Sequence, residues 1–180
     1  MPSQKFDQTV DLDSLKAQVD AEILARLQVE AEAAHHIYRR GFHIGEMKLL
    51  VSLDATSEVT EIPPLFRLPG APIGVIGLVN SHGRVLPVAD LSVLFGIQHQ
   101  RSASAWLLTC GRGDDAVGLI IDSLPERKKF VRDDEVNLVE VTLPIAAYAR
   151  GAYRDGQDIW VDVDFVKFFT AVLQVDLTAV

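Results

Sequence analysis

Residues of the types that could catalyse a reaction or hold a metal are few in this sequence, and their spacing fits neither role. There are five histidines, none of which forms the i, i+4 pair with a nearby Glu that a helical metalloprotease site requires. The single cysteine, Cys110, cannot build a thiolate zinc site or a disulfide, and it ends an apolar run as a small buried side chain would. No Gly-x-Ser-x-Gly turn presents a serine nucleophile. The sequence therefore predicts a protein that is not an enzyme and that holds no metal.

The glycines and the paired carboxylates indicate turns rather than a cofactor site. The glycine-rich segment 69–77 lacks both the Gly-Lys-Ser/Thr of a phosphate loop and the spacing of a dinucleotide-binding turn. Carboxylate pairs such as Asp114–Asp115 lie in polar loops, without the buried surroundings that general acid catalysis needs. We therefore expect no cofactor.

The composition limits the kinds of partner. The chain has 180 residues, with 17 Lys plus Arg against 25 Asp plus Glu, a net charge of −8 and a pI near 5.0. This length allows one domain or two small lobes, and the acidity argues against nucleic acid as the main partner. The single cysteine suits a reducing compartment, and neither an apolar leader nor an apolar run of about 20 residues is found. We expect a cytoplasmic protein that does not insert into a membrane.

The first 34 residues differ from the rest of the chain. They carry seven acidic and three basic residues and no glycine. Apolar side chains at Leu15, Val19, Ile23 and Leu27 fall on one helical stripe. We predict an acidic helical extension at 1–34 ahead of the main domain at 35–175. The helix would pack on its own domain or dock onto a partner.

From about Ile37 the pattern becomes short β-branched runs separated by Gly, Pro and Asp, which is typical of strands joined by turns. A hairpin is expected around Gly45–Glu46. Strands are predicted at Phe42–Ile44, Leu49–Val51, Ser57–Ile62, Gly74–Val79, Val85–Val88, Trp106–Cys110, Val117–Ile121 and Ile159–Val161. Many short strands with such turns favour barrels or a sandwich.

One local unit occurs twice. Gly77–Leu91 reads as strand, polar glycine turn, strand and an Asp that caps a short apolar helix, and Gly151–Asp162 repeats that order before another apolar stretch. The repetition predicts two similar lobes related by pseudo-symmetry.

Two blocks resemble the CheW-like family of chemotaxis coupling proteins. They are Ile62–Pro72 and Gly77–Leu91, supported by Val117–Asp122 as a Gly-hydrophobic-Asp strand and by Arg150–Gly151 with Asp162. The resemblance covers roughly residues 42–170. Within the family, the sequence is similar to the coupling proteins of type IV pilus, or twitching-motility, chemosensory systems.

The resemblance implies a mainly β fold of two small five-stranded SH3-like barrels that share a hydrophobic core, here with an added N-terminal helix and short capping helices. It also implies a non-enzymatic adaptor. Such proteins join the cytoplasmic tip of a methyl-accepting chemoreceptor to the regulatory domain of a CheA-like histidine kinase, within receptor arrays.

The resemblance also assigns roles to residues. Glu58 is similar to an acidic residue in an early strand of the family, and the apolar Val59 beside it is expected to contribute partner contacts. Gly77, Asn80 and Gly83 are similar to the hairpin next to the receptor-binding groove.

Position 82 departs from the family, because His82 stands where the family usually has arginine, a stronger multidentate donor. Arg84 projects from the same strand face if the register continues, and would compensate. Turn or cap roles are expected for Asp90, Gly118, Asp122 and Gly151.

Two other functions fit the sequence. One is a scaffold that self-associates through the acidic helix, Asp13–Ala34. The other is an enzyme or small-ligand protein that uses the turn Ser81–Arg84 beside a cleft between the lobes.

Overall fold

The computed structural model describes residues 16–26, 36–99 and 104–172, and the chain divides into two units, Met1–His36 and Ile37–Val180. In the first unit, residues 16–26 form helix α1. Its larger apolar side chains are about half exposed or more: Val19, Ile23 and Leu24. The rest of the predicted extension, with Leu15 and Leu27, lies outside the described residues.

The remainder is built mainly from strands. The strands are β1 His36–Ile44, β2 Met47–Ser52, β3 Thr56–Glu61, β4 Val75–Ser81, β5 Arg84–Ala89, β6 Trp106–Cys110, β7 Val117–Ile121, β8 Glu126–Val131, β9 Glu135–Val136, β10 Ala149–Asp155 and β11 Asp158–Val163. The helices are α2 Leu91–Leu94 and α3 Phe165–Val172. Short 3-10 helices occupy Gly113–Asp115, Arg132–Asp134, Leu138–Glu140 and Pro144–Tyr148.

The strands form two sheets with one shared topology. The first sheet, barrel A, has the order β8-β1-β2-β11-β10-β9, and the second, barrel B, has the order β3-β6-β7-β5-β4. Each sheet contains two antiparallel hairpins, and one strand of the first hairpin pairs in parallel with one strand of the second. The parallel pairs are β2 with β11 in barrel A and β7 with β5 in barrel B. Since β9 is only two residues long, the first five strands of barrel A match the five of barrel B in order. The β1–β2, β2–β11 and β11–β10 pairs match the β6–β7, β7–β5 and β5–β4 pairs in direction.

The register confirms that the β4–β5 and β10–β11 hairpins are equivalent. The pair Leu78↔Pro87 corresponds to Ala152↔Val161, and Ser81↔Arg84 corresponds to Asp155↔Asp158. Both hairpins also shift register near their start, between Val75 and Gly77 and between Ala149 and Gly151. The unit predicted twice from the sequence is therefore present twice.

One detail of that repeat was wrong, because the cap of the second helix is not Asp162. The side chain of Asp90 caps α2 by accepting from the Ser92 backbone N–H at 3.0 Å. At the equivalent place before α3, Asp164 accepts from the Lys167 backbone N–H at 3.1 Å. Asp162 lies within β11, where its carboxylate is buried and accepts from Arg39.

The described part of the chain has three apolar clusters, and the largest of them holds the two sheets together. The largest lies between the sheets and takes side chains from both, such as Phe42 and Leu49 from barrel A and Leu108 and Leu119 from barrel B. Two smaller clusters lie within the barrels: Leu50, Phe130, Tyr153 and Trp160 in barrel A, and Val79, Leu86, Val88, Leu107, Ala116 and Ile120 in barrel B. The predicted fold, two small β barrels on one shared core with short capping helices, is confirmed, with a sixth strand, β9, in barrel A.

The buried thiol of Cys110 gives a test of this core. Burial raises the pKa of Cys110 from its ordinary 9.0 to about 12. Because thiolate is the reactive form, its fraction near pH 8 is about a thousandfold below that of an exposed cysteine. We expect iodoacetamide at pH 8 to leave the native protein unlabelled and to add one adduct after denaturation, measured by mass spectrometry. Equal labelling rates in the two states would contradict this placement of Cys110.

Candidate partner-binding site

The β4–β5 hairpin ends in a tight turn that presents His82. Both turn residues have positive φ, 51° at His82 and 80° at Gly83, as in the two-residue turns that suit twisted hairpins. The Asn80 side chain accepts a hydrogen bond from the Gly83 N–H at 2.9 Å. Among the described non-glycine residues, only His82 has a positive φ. The turn therefore holds the imidazole in a defined direction at the hairpin tip.

A side-chain contact joins this tip to the opposite edge of barrel B. Nε2 of His82 lies 2.8 Å from Oε1 of Glu58. Glu58 is in β3 and His82 follows β4, and these strands are the two edges of the five-stranded sheet. The pair thus spans the gap where the sheet curls towards closure, and both side chains remain accessible to a partner.

Beneath this pair is an open cavity of about 590 Å³ at the end of barrel B. We call it the barrel B mouth, and it is lined by Glu58, Ser81, His82, Arg84, Leu86, Thr109, Gly111, Arg112, Gly113 and Ala116. Leu86 and Ala116 are buried and belong to the barrel core, so they give the mouth an apolar floor. Arg84 and Arg112 are exposed, so the rim is polar.

The structure brings five of the seven predicted partner-binding residues to this mouth. Glu58, His82 and Arg84 line it, while Asn80 and Gly83 build the turn at its edge. The other two lie elsewhere. Val59 is half-buried and packs on the core between the sheets.

Gly77 is at the far end of β4 from the turn. There the Phe66 and Leu78 backbones exchange two hydrogen bonds of 2.8 Å. A Cβ at position 77 would lie 2.5 Å from the Phe66 carbonyl oxygen, so Gly77 permits this close approach.

The four predicted turn or cap residues have separate local environments. Asp90 caps α2, as described above. Asp122 accepts from the Gly45 N–H at 2.7 Å in the turn between β1 and β2. A Cβ at Gly118 would lie 2.7 Å from Leu107 Cδ1, and one at Gly151 would lie 3.1 Å from the Tyr153 hydroxyl, so both glycines allow close packing.

Arg112 is the main residue of the mouth that the sequence analysis missed. It lies in the loop 111–115, of which the sequence analysis considered only the carboxylates Asp114 and Asp115. The signal was present, since a single arginine between two glycines is well placed for display on a tight turn. The sequence did not show that this loop lies beside the β4–β5 hairpin, because no local sequence pattern indicates that contact.

The mouth combines an apolar floor with a polar rim. Across the part of the chain that the structure describes, no three His, Cys, Asp or Glu side chains are grouped to hold a metal ion. A second depression, of about 810 Å³, lies along α2 from Asp90 to His99 and includes no predicted partner-binding residue. Nor is any described helix long and apolar enough to cross a bilayer.

Two small β barrels packed on one shared core define the class of fold to which the chain belongs. Residues 41–172 match the CheW-like domain family, and the chain belongs to that family. It is a CheW-like scaffold protein of chemotaxis or pilus-related signalling.

Individual relatives agree with this assignment. The chain is 27% identical to the Chemotaxis protein CheW of Rhizobium meliloti over 100 residues, which is 52% of this chain and 64% of that protein. It is 29% identical to Protein PilI of Pseudomonas aeruginosa over 133 residues, 71% of this chain and 70% of PilI. The solved scaffolding protein TtCheW from Thermoanaerobacter tengcongensis has the same fold, with a TM-score of 0.64 and 20% identity, covering 72% of this chain and 86% of that one.

Proposed function

We propose that this chain is a non-enzymatic adaptor that couples a chemoreceptor's cytoplasmic tip to the regulatory domain of a CheA-like histidine kinase. The observation that carries the proposal is the barrel B mouth, where Glu58, His82 and Arg84 converge on an open cavity. All three are predicted from the sequence as partner-binding residues, and the family resemblance places the hairpin that carries His82 next to the receptor-binding groove. A cytoplasmic location within receptor arrays, with residues 1–34 as an appended extension, belongs to the same proposal.

Coupling of this kind needs no chemical step. An adaptor that binds one receptor arrangement or one kinase conformation better than another shifts the equilibrium towards that state. A coupling free energy of about 1–3 kcal/mol changes affinity by about 5- to 150-fold. The shared core between the barrels suits this role, since packed apolar side chains connect the two sheets without a flexible linker.

The adaptor proposal is tested by co-sedimentation. Purified protein is mixed separately with a cognate receptor cytoplasmic fragment and with the kinase regulatory domain, and we expect it to pellet with the first and to comigrate with the second. Failure to bind either partner would refute the bridging role. Turnover of a substrate at the turn Ser81–Arg84 would instead favour the small-ligand alternative.

Self-association is a second candidate, favoured by the apolar side chains that α1 exposes. Val19 and Ile23 are each about half exposed and Leu24 more so, although they lie on a helix rich in charged residues. If α1 pairs between copies, light scattering should show a mass above that of the monomer, and deletion of residues 1–34 should abolish it. An unchanged monomer mass would remove this candidate.

Replacement of His82 by arginine tests the departure from the family pattern. We expect His82→Arg to tighten receptor binding by about fivefold, because arginine keeps a fixed charge towards Glu58 and adds donors for the partner. The melting temperature should change by less than about 4 °C, since the side chain is exposed. Isothermal titration and thermal melting measure the two quantities, with His82→Ala as the control that removes the contact with Glu58. A large loss of stability in His82→Arg would show that His82 is a structural residue.

A further inference from the structure

In each barrel an edge strand contacts the tip of a hairpin through one acidic and one basic side chain, and the acid and the base exchange places between the barrels. In barrel B the acid is on edge strand β3 and the base at the hairpin tip, Glu58 with His82. In barrel A the base is on edge strand β8 and the acid at the hairpin tip, Lys128 with Asp155 at 3.0 Å. Asp155 is equivalent in register to Ser81, the residue before His82, so the two contacts lie at similar places in the two sheets.

The side chains beneath the two contacts differ in size. In barrel A the Lys128 ammonium is 4.4 Å from the centre of the Trp160 ring, so the indole fills the space under the pair. Trp160 pairs with Tyr153, and the equivalent pair in barrel B is Val79↔Leu86. Barrel B therefore has a leucine where barrel A has a tryptophan. The smaller side chain leaves room for the cavity of the barrel B mouth.

The charges around this cavity are unbalanced. Among the described residues that line it, the single carboxylate is Glu58, which His82 already contacts. Arg84 and Arg112 line the same cavity, and within the described part of the chain neither forms an ion pair of 4.0 Å or less. Asp114 and Asp115 follow in the loop but do not line the cavity. Two exposed guanidinium groups thus stand over an apolar floor.

The loop that carries Arg112 has a defined backbone. Gly111 has φ 84°, and a Cβ there would lie 2.7 Å from the Asp115 carbonyl oxygen. Gly113 has φ 63°. The Gly111 N–H also donates to the Ala55 carbonyl at 3.1 Å, which ties the loop to the segment before β3. A fixed backbone reduces the entropy lost when the arginine binds a partner.

We propose that the barrel B mouth recognises a carboxylate side chain on the receptor segment, bound by Arg84 and Arg112, next to an apolar side chain that enters the cavity. Guanidinium groups bind carboxylates through two parallel N–H donors, which gives direction as well as attraction. The apolar neighbour would contact Leu86 and Ala116. This inference rests on the proposed function, because it names the chemistry of the segment that the site accepts.

A protein carboxylate fits the charge distribution better than an extended polyanion. The whole chain has a net charge of −8, which repels nucleic acid or an anionic membrane over distances of about 8–10 Å, the screening length in physiological salt. A single Glu or Asp on a neutral or mixed-charge segment would be attracted mainly by the two arginines of the mouth, because the segment as a whole is not repelled by the chain's net charge. The mouth therefore selects a short acidic determinant.

The test compares two charge reversals at the mouth with a matched one elsewhere. Arg112→Glu and Arg84→Glu each change the net charge by the same amount as Lys129→Glu, an exposed position on β8 of barrel A. Binding to a cognate receptor cytoplasmic fragment and, separately, to the kinase regulatory domain is measured by titration calorimetry. We expect at least tenfold weaker receptor binding for each mouth variant and less than twofold change for Lys129→Glu. Kinase binding should change by less than twofold in all three.

The outcomes distinguish a failure of the proposed function from a failure of the carboxylate inference. If the parent protein binds neither partner, the proposed function is wrong. If it binds both but Arg112→Glu and Arg84→Glu bind the receptor as tightly as Lys129→Glu does, the carboxylate inference is wrong and the adaptor role stands. Thermal melting shows whether each variant is folded. If a charge-reversal variant does not fold, the milder Arg112→Gln replaces it, and we expect it to weaken receptor binding about fivefold. Restored binding of Arg112→Glu by a receptor fragment with one acidic residue changed to lysine would support a direct ion pair.

Discussion

Replacing Arg39 with methionine is expected to lower the free energy of unfolding by about 3–5 kcal/mol. The Asp162 carboxylate is 1% exposed, and Nε of Arg39 donates to its Oδ2 at 2.6 Å. Among the residues that the structure describes, the nearest other cation is Arg150, whose Nη2 lies 3.6 Å from Oδ1 of Asp162, too far for a hydrogen bond. Without Arg39 the buried carboxylate would lose its principal partner and would keep its desolvation cost. Urea denaturation of both proteins measures the difference.

The neighbouring residue provides the control. Arg40 is exposed, and no ion pair with it occurs among the described residues, so Arg40→Met should change stability by less than about 0.5 kcal/mol. The double variant Arg39→Met/Asp162→Leu should recover much of the loss, because it removes the buried charge together with its partner. A loss below about 1 kcal/mol in Arg39→Met would mean that Arg150 or solvent compensates for Asp162.

Replacing Phe168 with alanine is expected to cost about 3–5 kcal/mol. Phe168 is fully buried at the centre of α3, and its ring centre lies 5.0 Å from that of Tyr148 and 5.1 Å from that of Phe169. It also lies 6.2 Å from Phe95, which follows α2. Its removal leaves a cavity where α3 meets elements of both barrels.

Val166 on the same helix is the matched control. It is 38% exposed, and Val166→Ala should change stability by less than about 1 kcal/mol, because little apolar area is lost and alanine favours helix. Chemical denaturation followed by tryptophan fluorescence compares the two. Equal effects of Phe168→Ala and Val166→Ala would contradict the position of Phe168 at the centre of the core.

The strands that could be predicted from the sequence are those with apolar, β-branched runs between clear turns. The bounds predicted for β6 and β7 agree with the structure, and the hairpin around Gly45 is present. Strand β8, Glu126–Val131, was missed because most of its side chains are charged. Phe130 is its one buried side chain. That pattern suits an edge strand, where cations on the open edge prevent pairing with other chains. Periodicity alone does not reveal it.

The site was predictable where it depends on one hairpin and unpredictable where it depends on closure of the barrel. Asn80, His82, Gly83 and Arg84 are consecutive or nearly so, so the turn alone brings them together. Arg112 reaches the same mouth through the parallel pairing of β5 with β7, which has no local signal in the sequence. Glu58 was reached by family resemblance, and its contact with His82 requires both edges of the sheet to approach each other.

The pseudo-symmetry was visible only in part for the same reason. The β4–β5 and β10–β11 hairpins share glycine turns and a following Asp, which the sequence displays. The β1–β2 and β6–β7 hairpins occupy equivalent places in the two sheets, although their turns differ in length and type of residue. Their equivalence follows from tertiary pairing, whereas the comparison of Trp160 with Leu86 rests on the register of the β10–β11 and β4–β5 hairpins.

Sedimentation velocity of a three-component mixture tests the adaptor role most directly. The receptor cytoplasmic fragment, the kinase regulatory domain and this protein are combined at equal concentration, and each pair is run alongside. If the chain bridges the two partners, a species containing all three should appear only in the complete mixture, and Arg112→Glu should reduce it. If receptor and kinase instead compete for the chain, so that one displaces the other, the protein cannot couple them.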